Sequence, residues 1–279
     1  MTDKYAVVGN PVAHSKSPLI HAEFARRTGQ DISYAMILAP LDGFRKAVFK
    51  FRDEGGRGVN VTLPFKREAW DIVDGREGYA LDASAVNTIT FADGRMVGHN
   101  TDGIGLVRDI TVNLDYPIQG RRVLLMGAGG ATYGVMQSLL CERPGKLVVA
   151  NRTLDKAVSL VAYFRKFENL TPGGISAQPY QELSGAQFDL VINATSAGLS
   201  DAMPHLPDSV FAPGALAYDM MYGRVTPFMR LAGGKAAIVS DGLGMLVEQA
   251  AESFFIWRGV RPRTAPVIEL LRTGVNSES

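Results

Sequence analysis

Residues 121–131 read RRVLLMGAGGA, and the apolar run that ends at the first glycine predicts a strand buried on both faces. The glycines open a helical pattern, and a second apolar strand, KLVVA, follows at residues 146–150. Such a unit binds dinucleotides, because its turn brings backbone N–H groups and a helix N-terminus to a pyrophosphate. An ordinary tight turn stays open as the alternative, since Thr132 stands where the motif has Gly or Ala. The predicted dinucleotide contacts are Gly127, Ala128, Gly129, Gly130 and Ala131.

The end of the second strand indicates which dinucleotide is bound. An NAD site has an Asp or Glu about 20 residues after the glycines, where it accepts a hydrogen bond from the ribose 2′-hydroxyl. Here the strand ends in Asn151, Arg152 and Thr153. The planar guanidinium of arginine suits a phosphate, and threonine adds a hydroxyl. These three residues predict binding to the 2′-phosphate of NADP, whereas Asp155 is interpreted as a charge that stabilises the next helix.

Composition and charge describe an ordinary globular protein. Of 279 residues, 46% are hydrophobic and 20% are charged, and the formal net charge is +1. This charge argues against nucleic acid or an anionic membrane as the main partner. No apolar run is long enough to span a bilayer, and the polar N-terminal residues do not read as a signal peptide. We therefore predict a cytoplasmic protein of about two domains.

The single cysteine and the histidines show no sign of a metal site. Cys141 excludes an intrachain disulfide, which fits a reducing compartment. We predict that it is a small buried hydrophobe in the helix after the glycine turn. No metal site is predicted, because the histidines have no metal-ligand spacing with cysteine. They are His14, His21, His99 and His205.

The pattern of apolar and turn residues predicts alternating strands and helices in both halves of the chain. Ser17-Pro18 is interpreted as a helix start, with serine at the cap and proline at the first helical position. The candidate hinge, residues 100–103, leads into a helical pattern that ends near Leu114. The other predicted helices are residues 18–29, 44–52, a short segment after Lys66, 154–167, 246–257 and 266–272; the predicted strands are residues 5–8, 33–38, 57–62, 86–91, 96–99, 189–194, 216–220 and 237–240.

Polar residues collect after the carboxyl ends of these predicted strands. In open α/β sheets ligands bind at those ends, so two lobes with such loops suggest a cleft between them. The residues concerned include Ser15, Ser17, Asn60, Thr62, Asn87, Asn193, Thr195 and Tyr222.

Nine ordered segments resemble a known family, the NADP-dependent shikimate dehydrogenases. Together they run through nearly the whole chain. One departure is at Thr132-Tyr133, where the family often has serine and arginine. The matching segments are SKSP at 15–18, NVTLPFK at 60–66, AVNT at 85–88, NTDG at 100–103, GAGGA at 127–131, NRT at 151–153, NATSAG at 193–198, YDMMY at 218–222 and DGLGML at 241–246 with Gln249.

The resemblance implies a two-lobed α/β fold. Residues 1–101 with 243–279 would form an α/β substrate-binding lobe, and residues 102–242 a Rossmann-like, doubly wound NADP-binding lobe. The implied reaction is the reversible NADPH-dependent reduction of 3-dehydroshikimate to shikimate, in chorismate and aromatic amino acid biosynthesis. A homodimer is left open.

The resemblance also implies the roles of single residues. Ser15 and Ser17 would donate to the substrate carboxylate. Further cofactor contacts would be Thr195, Met220 and Gly242. Contacts to the ring hydroxyls or the carboxylate would come from Asn60, Thr62, Asn87, Tyr222 and Gln249.

Lys66 and Asp102 are the predicted catalytic pair, and both would also bind substrate. Hydride arriving at a carbonyl carbon leaves negative charge on the oxygen, which a nearby ammonium stabilises and protonates. A carboxylate holds the ammonium in place and accepts a hydrogen bond from a substrate hydroxyl. Because the two residues are distant in sequence, their proximity is an expectation from the resemblance.

Three alternatives remain at this point. An NAD-dependent quinate/shikimate dehydrogenase would fit a similar pocket, but Arg152 and Lys16 of the SKSP segment weigh against it. A non-catalytic NADPH-binding protein would lack Lys66 or Asp102, and both are present. A folate-linked dehydrogenase of similar shape would not need the paired serines.

Overall fold

The computed structural model describes residues 2–195, 206–236 and 238–275. Its contacts divide the chain into two compact units: unit 1 comprises residues 1–105 and 246–279, and unit 2 comprises residues 106–245. The predicted domain boundaries lie a few residues from these divisions. The assignment of substrate and cofactor to the two domains stays a prediction.

The strands that the sequence predicts are present, in some cases longer or shorter. Ser196, Ala197 and Gly198, which belong to a segment of the resemblance, and His205 and Ala237 lie outside the described residues. The strands are β1 (Asp3–Gly9), β2 (Ile32–Leu38), β3 (Gly56–Val61), β4 (Gly75–Arg76), β5 (Thr88–Ala92), β6 (Arg95–His99), β7 (Arg122–Met126), β8 (Lys146–Ala150), β9 (Ile175–Gln178), β10 (Phe188–Asn193), β11 (Phe211–Asp219) and β12 (Ile238–Ser240).

Helices follow most of these strands. The π-helical turn Asp109–Asn113 continues α5, and the 3-10 helix Arg165–Leu170 continues α7. The α-helices are α1 (Ser17–Thr28), α2 (Phe44–Asp53), α3 (Lys66–Ile72), α4 (Ala80–Ala83), α5 (Asp102–Arg108), α6 (Gly130–Cys141), α7 (Leu154–Phe164), α8 (Pro227–Ala232), α9 (Leu243–Arg258) and α10 (Ala265–Val275).

Unit 1 is built on a mixed sheet with the strand order β2-β1-β3-β5-β6-β4. Strands β1, β2 and β3 are parallel, whereas β5 runs antiparallel to both β3 and β6. Asn60 near the end of β3 pairs with Thr88 at the start of β5, which pairs in turn with His99 at the end of β6. One edge of the sheet therefore gathers the segments that follow β3, precede β5 and follow β6.

Unit 2 is a fully parallel sheet with the order β12-β11-β10-β7-β8-β9. Numbered within this unit and read from β9, this is the doubly wound order 3-2-1-4-5-6, whose strand order reverses beside the first strand, β7. Val123 and Leu125 belong to one apolar core, and Leu124 and Met126 belong to another. Since neighbouring side chains on a strand point to opposite faces, β7 is buried on both faces, as its apolar run predicts.

Two predictions about single residues are wrong. Lys16, not Ser17, is the cap position of α1, and no side chain caps that helix. Instead, the hydroxyl of Ser15, two residues earlier, accepts a hydrogen bond from the Ser17 N–H at 3.3 Å. Cys141 is exposed rather than buried, because it is the last residue of α6, one position beyond the fully buried Leu139 and Leu140.

Several short elements were not predicted. Strand β9 is a half-buried edge strand with one large apolar residue, so its sequence, ISAQ, lacks a strand pattern. Helix α8 does carry a readable signal: Pro227 stands in its first turn and the Thr226 hydroxyl accepts from the Met229 N–H at 3.2 Å. Strand β4 and helix α4 are too short for any periodicity to show.

Candidate active site

Lys66 and Asp102 form a direct ion pair in unit 1. Lys66 Nζ lies 2.6 Å from Asp102 Oδ2, and the two side chains are 31% and 13% exposed. Lys66 begins α3 directly after the loop that follows β3, and Asp102 begins α5 just after β6. The Val86 N–H donates to the Lys66 carbonyl at 2.9 Å, which ties the start of α3 to the segment before β5. The fold thus brings a half-buried ammonium and a mostly buried carboxylate to one edge of the sheet.

Asn87 connects this ion pair to the rest of the edge. Its Nδ2 lies 2.9 Å from Asp102 Oδ1 and 2.9 Å from Thr101 Oγ1. Its Oδ1 accepts from the Thr101 N–H at 2.9 Å. Gln249 of α9 completes the group, with Oε1 3.4 Å from both Asn87 Nδ2 and Thr101 Oγ1. Hydrogen bonds therefore hold four polar side chains against one another, those of Asn87, Thr101, Asp102 and Gln249.

Asn60 is almost completely buried and its side-chain amide is fully engaged. Tyr34 donates its hydroxyl to Asn60 Oδ1 at 2.7 Å. Asn60 Nδ2 lies 3.2 Å from the Asn87 carbonyl, 3.1 Å from Thr88 Oγ1 and 2.9 Å from Ser253 Oγ. An amide has two N–H donors and a carbonyl acceptor, and these bonds use both kinds of group. Asn60 is therefore a buried support for the neighbouring polar side chains.

Ser15, Ser17 and Thr62 lie on the segments that follow two adjacent parallel strands. Ser15 and Thr62 are half-buried, and Ser17 is 7% exposed. The Thr62 methyl packs over Gly9 at the end of β1, where an added Cβ would clash with it. A glycine is therefore required for the loop after β1, which carries both serines, to pass this close to Thr62.

The glycine turn in unit 2 presents backbone donors. Gly127 has φ of 103°, a left-handed conformation that favours glycine, and a Cβ there would lie 3.2 Å from the Thr195 methyl. Gly129 is the cap position of α6, with no side-chain cap, and its carbonyl accepts from the Tyr133 N–H at 3.1 Å. This is the first hydrogen bond of the helix, so the N–H groups of the three residues before Tyr133 have no partner inside it. These residues are Gly130, Ala131 and Thr132. Such a terminus fits a pyrophosphate.

Arg152 follows β8 in the same unit and is exposed, as is Thr153. Asn151 is half-buried, and its side chain donates to the Thr153 carbonyl at 2.8 Å, which shapes the turn into α7. Tyr180, which carries no motif in the sequence, lies near this turn. Burial raises its pKa to about 12, opposed by the charge of Arg152 and by a hydrogen bond with the Gly127 backbone. The glycine turn and Arg152 therefore both lie near Tyr180. The exposed guanidinium of Arg152 fits a ribose phosphate.

The remaining predicted residues of unit 2 stand at the carboxyl ends of β10, β11 and β12. Thr195 donates its hydroxyl to Asn193 Oδ1 at 2.7 Å. Met220 is half-buried, and a Cβ added to Gly242 would clash with the Met220 carbonyl. Tyr222 is half-buried, and burial raises the pKa of its phenol. These positions gather at the edge of the parallel sheet where Gly127 also lies.

Sequence reasoning missed residues that support the site rather than line it. Thr101 stands inside the NTDG segment and could have been found there. Asp219 is fully buried and accepts from Thr226 at 2.5 Å, from Asn193 at 3.1 Å and from the Met221 N–H at 2.9 Å. Its position in YDMMY is the only signal. Tyr34 and Ser253 carry no sequence signal at all, because their contacts come from strands and helices far apart in the chain.

Two features are absent from the part of the chain that the structure describes. It contains no helix long and apolar enough to cross a membrane. It also contains no group of three or more His, Cys, Asp or Glu residues placed to hold a metal ion.

Family models match most of the sequence. The shikimate dehydrogenase substrate binding domain matches residues 7–89. The model described as shikimate / quinate 5-dehydrogenase matches residues 111–200, and the shikimate 5′-dehydrogenase C-terminal domain matches residues 242–272.

Individual relatives agree with these models along the whole chain. The shikimate dehydrogenase (NADP(+)) of Nitrosospira multiformis is 55% identical over 279 residues, which cover 99% of this chain and 100% of the relative. An Ael1 enzyme from Pseudomonas putida is 47% identical, with a TM-score of 0.90 and 97% and 98% of the two chains covered. The shikimate 5-dehydrogenase of Thermus thermophilus, solved with NADP(H) and shikimate, is 33% identical, with a TM-score of 0.85 and 98% and 99% covered.

Proposed function

Because the chain belongs to the shikimate dehydrogenase family, we propose that it catalyses the reversible NADPH-dependent reduction of 3-dehydroshikimate to shikimate. This reaction serves chorismate and aromatic amino acid biosynthesis. The observation that carries the proposal is the 2.6 Å ion pair between Lys66 and Asp102 at an edge of polar side chains. A silent cofactor-binding protein would have no need of that pair.

In the reduction, bound NADPH would supply the hydride that reaches the carbonyl carbon of the substrate. Lys66 Nζ stabilises the negative charge that develops on the oxygen and donates the proton that completes the alcohol. Asp102 holds the ammonium in place and accepts a hydrogen bond from a neighbouring substrate hydroxyl. In the oxidation the neutral amine of Lys66 takes the proton back.

The other polar residues of unit 1 bind and orient the substrate. Ser15 and Ser17 donate to the carboxylate, and Thr62, Asn87 and Gln249 contact the ring hydroxyls or the carboxylate. Asn60, whose amide is already engaged, and Tyr222 of unit 2 complete the proposed set. Support for the role of unit 1 comes from the substrate-binding family model over residues 7–89.

Unit 2 is proposed to bind NADP. The open N–H groups of the glycine turn fit the pyrophosphate, and Asn151, Arg152 and Thr153 fit the 2′-phosphate. Thr195, Met220 and Gly242 lie at the ends of neighbouring strands, where a Rossmann-like sheet binds its ligand. The proposal also includes a cytoplasmic location and no nucleic-acid or membrane partner; a homodimer stays open.

A crossed assay tests the function directly. The purified protein is given shikimate or quinate together with NADP or NAD, and the absorbance of the reduced cofactor is followed. We expect shikimate with NADP to give the highest kcat/KM. The second candidate, an NAD-dependent quinate/shikimate dehydrogenase, would instead show its highest kcat/KM with NAD. No turnover with any of the four combinations would contradict both.

A further inference from the structure

Tyr34 of β2 lies under the substrate-binding edge of unit 1, although nothing in its sequence context marks it. Its hydroxyl donates to Asn60 Oδ1 at 2.7 Å. Burial raises the pKa of Tyr34 well above its ordinary value, so the phenol keeps its proton and donates it to this bond. One phenol of β2 therefore holds a side chain at the end of β3, although β1 lies between the two strands in the sheet.

The ring of Tyr34 is held in one orientation by its neighbours. His21 of α1 is completely buried and stacks on it, with ring centroids 4.2 Å apart and planes 7° from parallel. The His21 ring is neutral at ordinary pH, because burial lowers its pKa to about 3. Trp257 also belongs to this cluster, with its ring centroid 6.5 Å from that of Tyr34. A fixed ring means that the hydroxyl position is fixed as well.

The bond from Tyr34 decides which way the Asn60 amide faces. With Oδ1 turned to the phenol, Nδ2 faces the Asn87 carbonyl, 3.2 Å away, and Thr88 Oγ1, 3.1 Å away. Thr88 in turn donates its hydroxyl to Asn87 Oδ1 at 3.0 Å. Asn87 is the side chain that contacts Asp102. A continuous set of hydrogen bonds therefore leads from Tyr34 to the catalytic pair.

We propose that Tyr34 is a positioning residue, whose hydroxyl fixes the Asn60 amide in the arrangement that orders the substrate-binding side chains. The inference rests on the function proposed above and adds a residue to it. Tyr34 acts through Asn60 and does not itself contact the substrate. Its removal should therefore affect substrate affinity more than turnover, and should leave the cofactor site in unit 2 unchanged.

Tyr34→Phe removes the hydroxyl and keeps the stacked ring. We expect KM for shikimate to rise by about three- to tenfold, the scale of one net hydrogen bond, with kcat changed less than about twofold and KM for NADP unchanged. Tyr5→Phe is a matched control, because Tyr5 is the direct neighbour of Tyr34 across β1 and β2 and also stacks on Trp257. The Tyr5 hydroxyl lies 3.4 Å from Arg258 Nη1, so this control should keep the wild-type KM.

A double-mutant cycle with Asn60→Ala separates positioning from direct contact. If Tyr34 acts through Asn60, the effect of Tyr34→Phe on KM shrinks when Asn60 is already alanine. Full additivity would show that Tyr34 acts on the substrate without Asn60, and an unchanged or lower KM in Tyr34→Phe would show that it positions nothing; either result overturns the inference alone. Wild-type protein without activity on shikimate would overturn the proposed function, and the inference with it.

Discussion

The two units prepare their sites in different ways. In unit 1 the polar side chains are bonded to one another: Lys66 to Asp102, Asp102 to Asn87, and Asn87 to Thr101. In unit 2 the expected cofactor contacts are mainly backbone N–H groups of the glycine turn and the exposed side chain of Arg152. One site is a network of side chains, and the other is a turn with a helix terminus and one charged side chain.

This difference has consequences for what each site can do. Side chains held by their neighbours have lost their rotamer freedom on folding, so less ordering remains for the moment of binding. Such order suits a reaction in which a proton donor must meet one oxygen within hydrogen-bond reach. A backbone turn recognises any pyrophosphate, so the choice between NADP and NAD depends on a few side chains, such as that of Arg152. Single substitutions should therefore impair chemistry in unit 1 and selectivity in unit 2.

The largest effect is expected at Lys66. Lys66→Ala removes the proposed proton donor, and kcat should fall by about 10²–10⁴-fold, with the affinity for shikimate altered much less. Lys66→Arg should not restore the rate, because the guanidinium does not release its proton. Steady-state kinetics in both directions measure this effect.

The neighbouring Arg67→Ala is the matched control for charge. Arg67 is exposed and lies 3.8 Å from Asp71 on the surface of α3, so its loss should leave kcat near the wild-type value. If Lys66→Ala kept a near-wild-type kcat, the proton donor would be Asp102, Tyr222 or a bound water instead. The ion pair between Lys66 and Asp102 would then not explain the chemistry of unit 1.

Arg152 provides the corresponding test in unit 2. Arg152→Ala should raise KM for NADP by about ten- to a hundredfold, since a hydrogen bond to a charged group contributes about 1.5–3 kcal/mol, and should spare NAD. Arg165→Ala, which removes another exposed cation of the same unit, should change neither KM. Equal weakening of both cofactors by Arg152→Ala would make Arg152 a structural or adenine-contacting residue.

His21 tests the interior that supports the side-chain network. Its folded-state pKa of about 3 lies below the ordinary histidine value of 6.5, so at acidic pH the unfolded chain binds a proton that the folded protein does not. The burial of His21 therefore costs no stability above pH 6.5, and the free energy of unfolding falls as the pH drops from 6.5 towards 3. Between about pH 8 and pH 5 this one group should account for about 2 kcal/mol.

The measurement is denaturant unfolding of wild type and His21→Phe at both pH values. The variant keeps an aromatic ring against Tyr34 and should lose about that much less stability on acidification. His99, whose pKa burial also lowers, contributes equally to both proteins. The same pH dependence in wild type and variant would mean that His21 is charged or solvated in the folded protein.

How much the sequence predicts differs between the units for the same physical reason. The glycine turn and the strand that leads into it could be predicted from consecutive residues, because a local backbone site is encoded locally. The pairing of Lys66 with Asp102 depends on strand register, and sequence supported it only through a resemblance. Tyr34 and Ser253 escaped prediction because each is defined by contacts to distant segments. The cap assignment at Ser17 was wrong because the pattern of serine before proline fits a cap position as well as it fits the first residues of a helix.

The smallest effect is expected at Ser17, and the corrected helix start makes its test cleaner. Ser17 does not cap α1, so Ser17→Ala should change the melting temperature little through the helix itself. Ser15 is proposed to donate to the same carboxylate, so the loss of one of the two donors should cost less than the loss of a lone hydrogen bond to a charged group. KM for shikimate should rise by about five- to tenfold, with kcat and KM for NADP unchanged. Ser33→Ala, at an exposed serine of β2, serves as a control for the loss of a hydroxyl. An unchanged KM in Ser17→Ala would show that the Ser17 hydroxyl does not contact the substrate carboxylate.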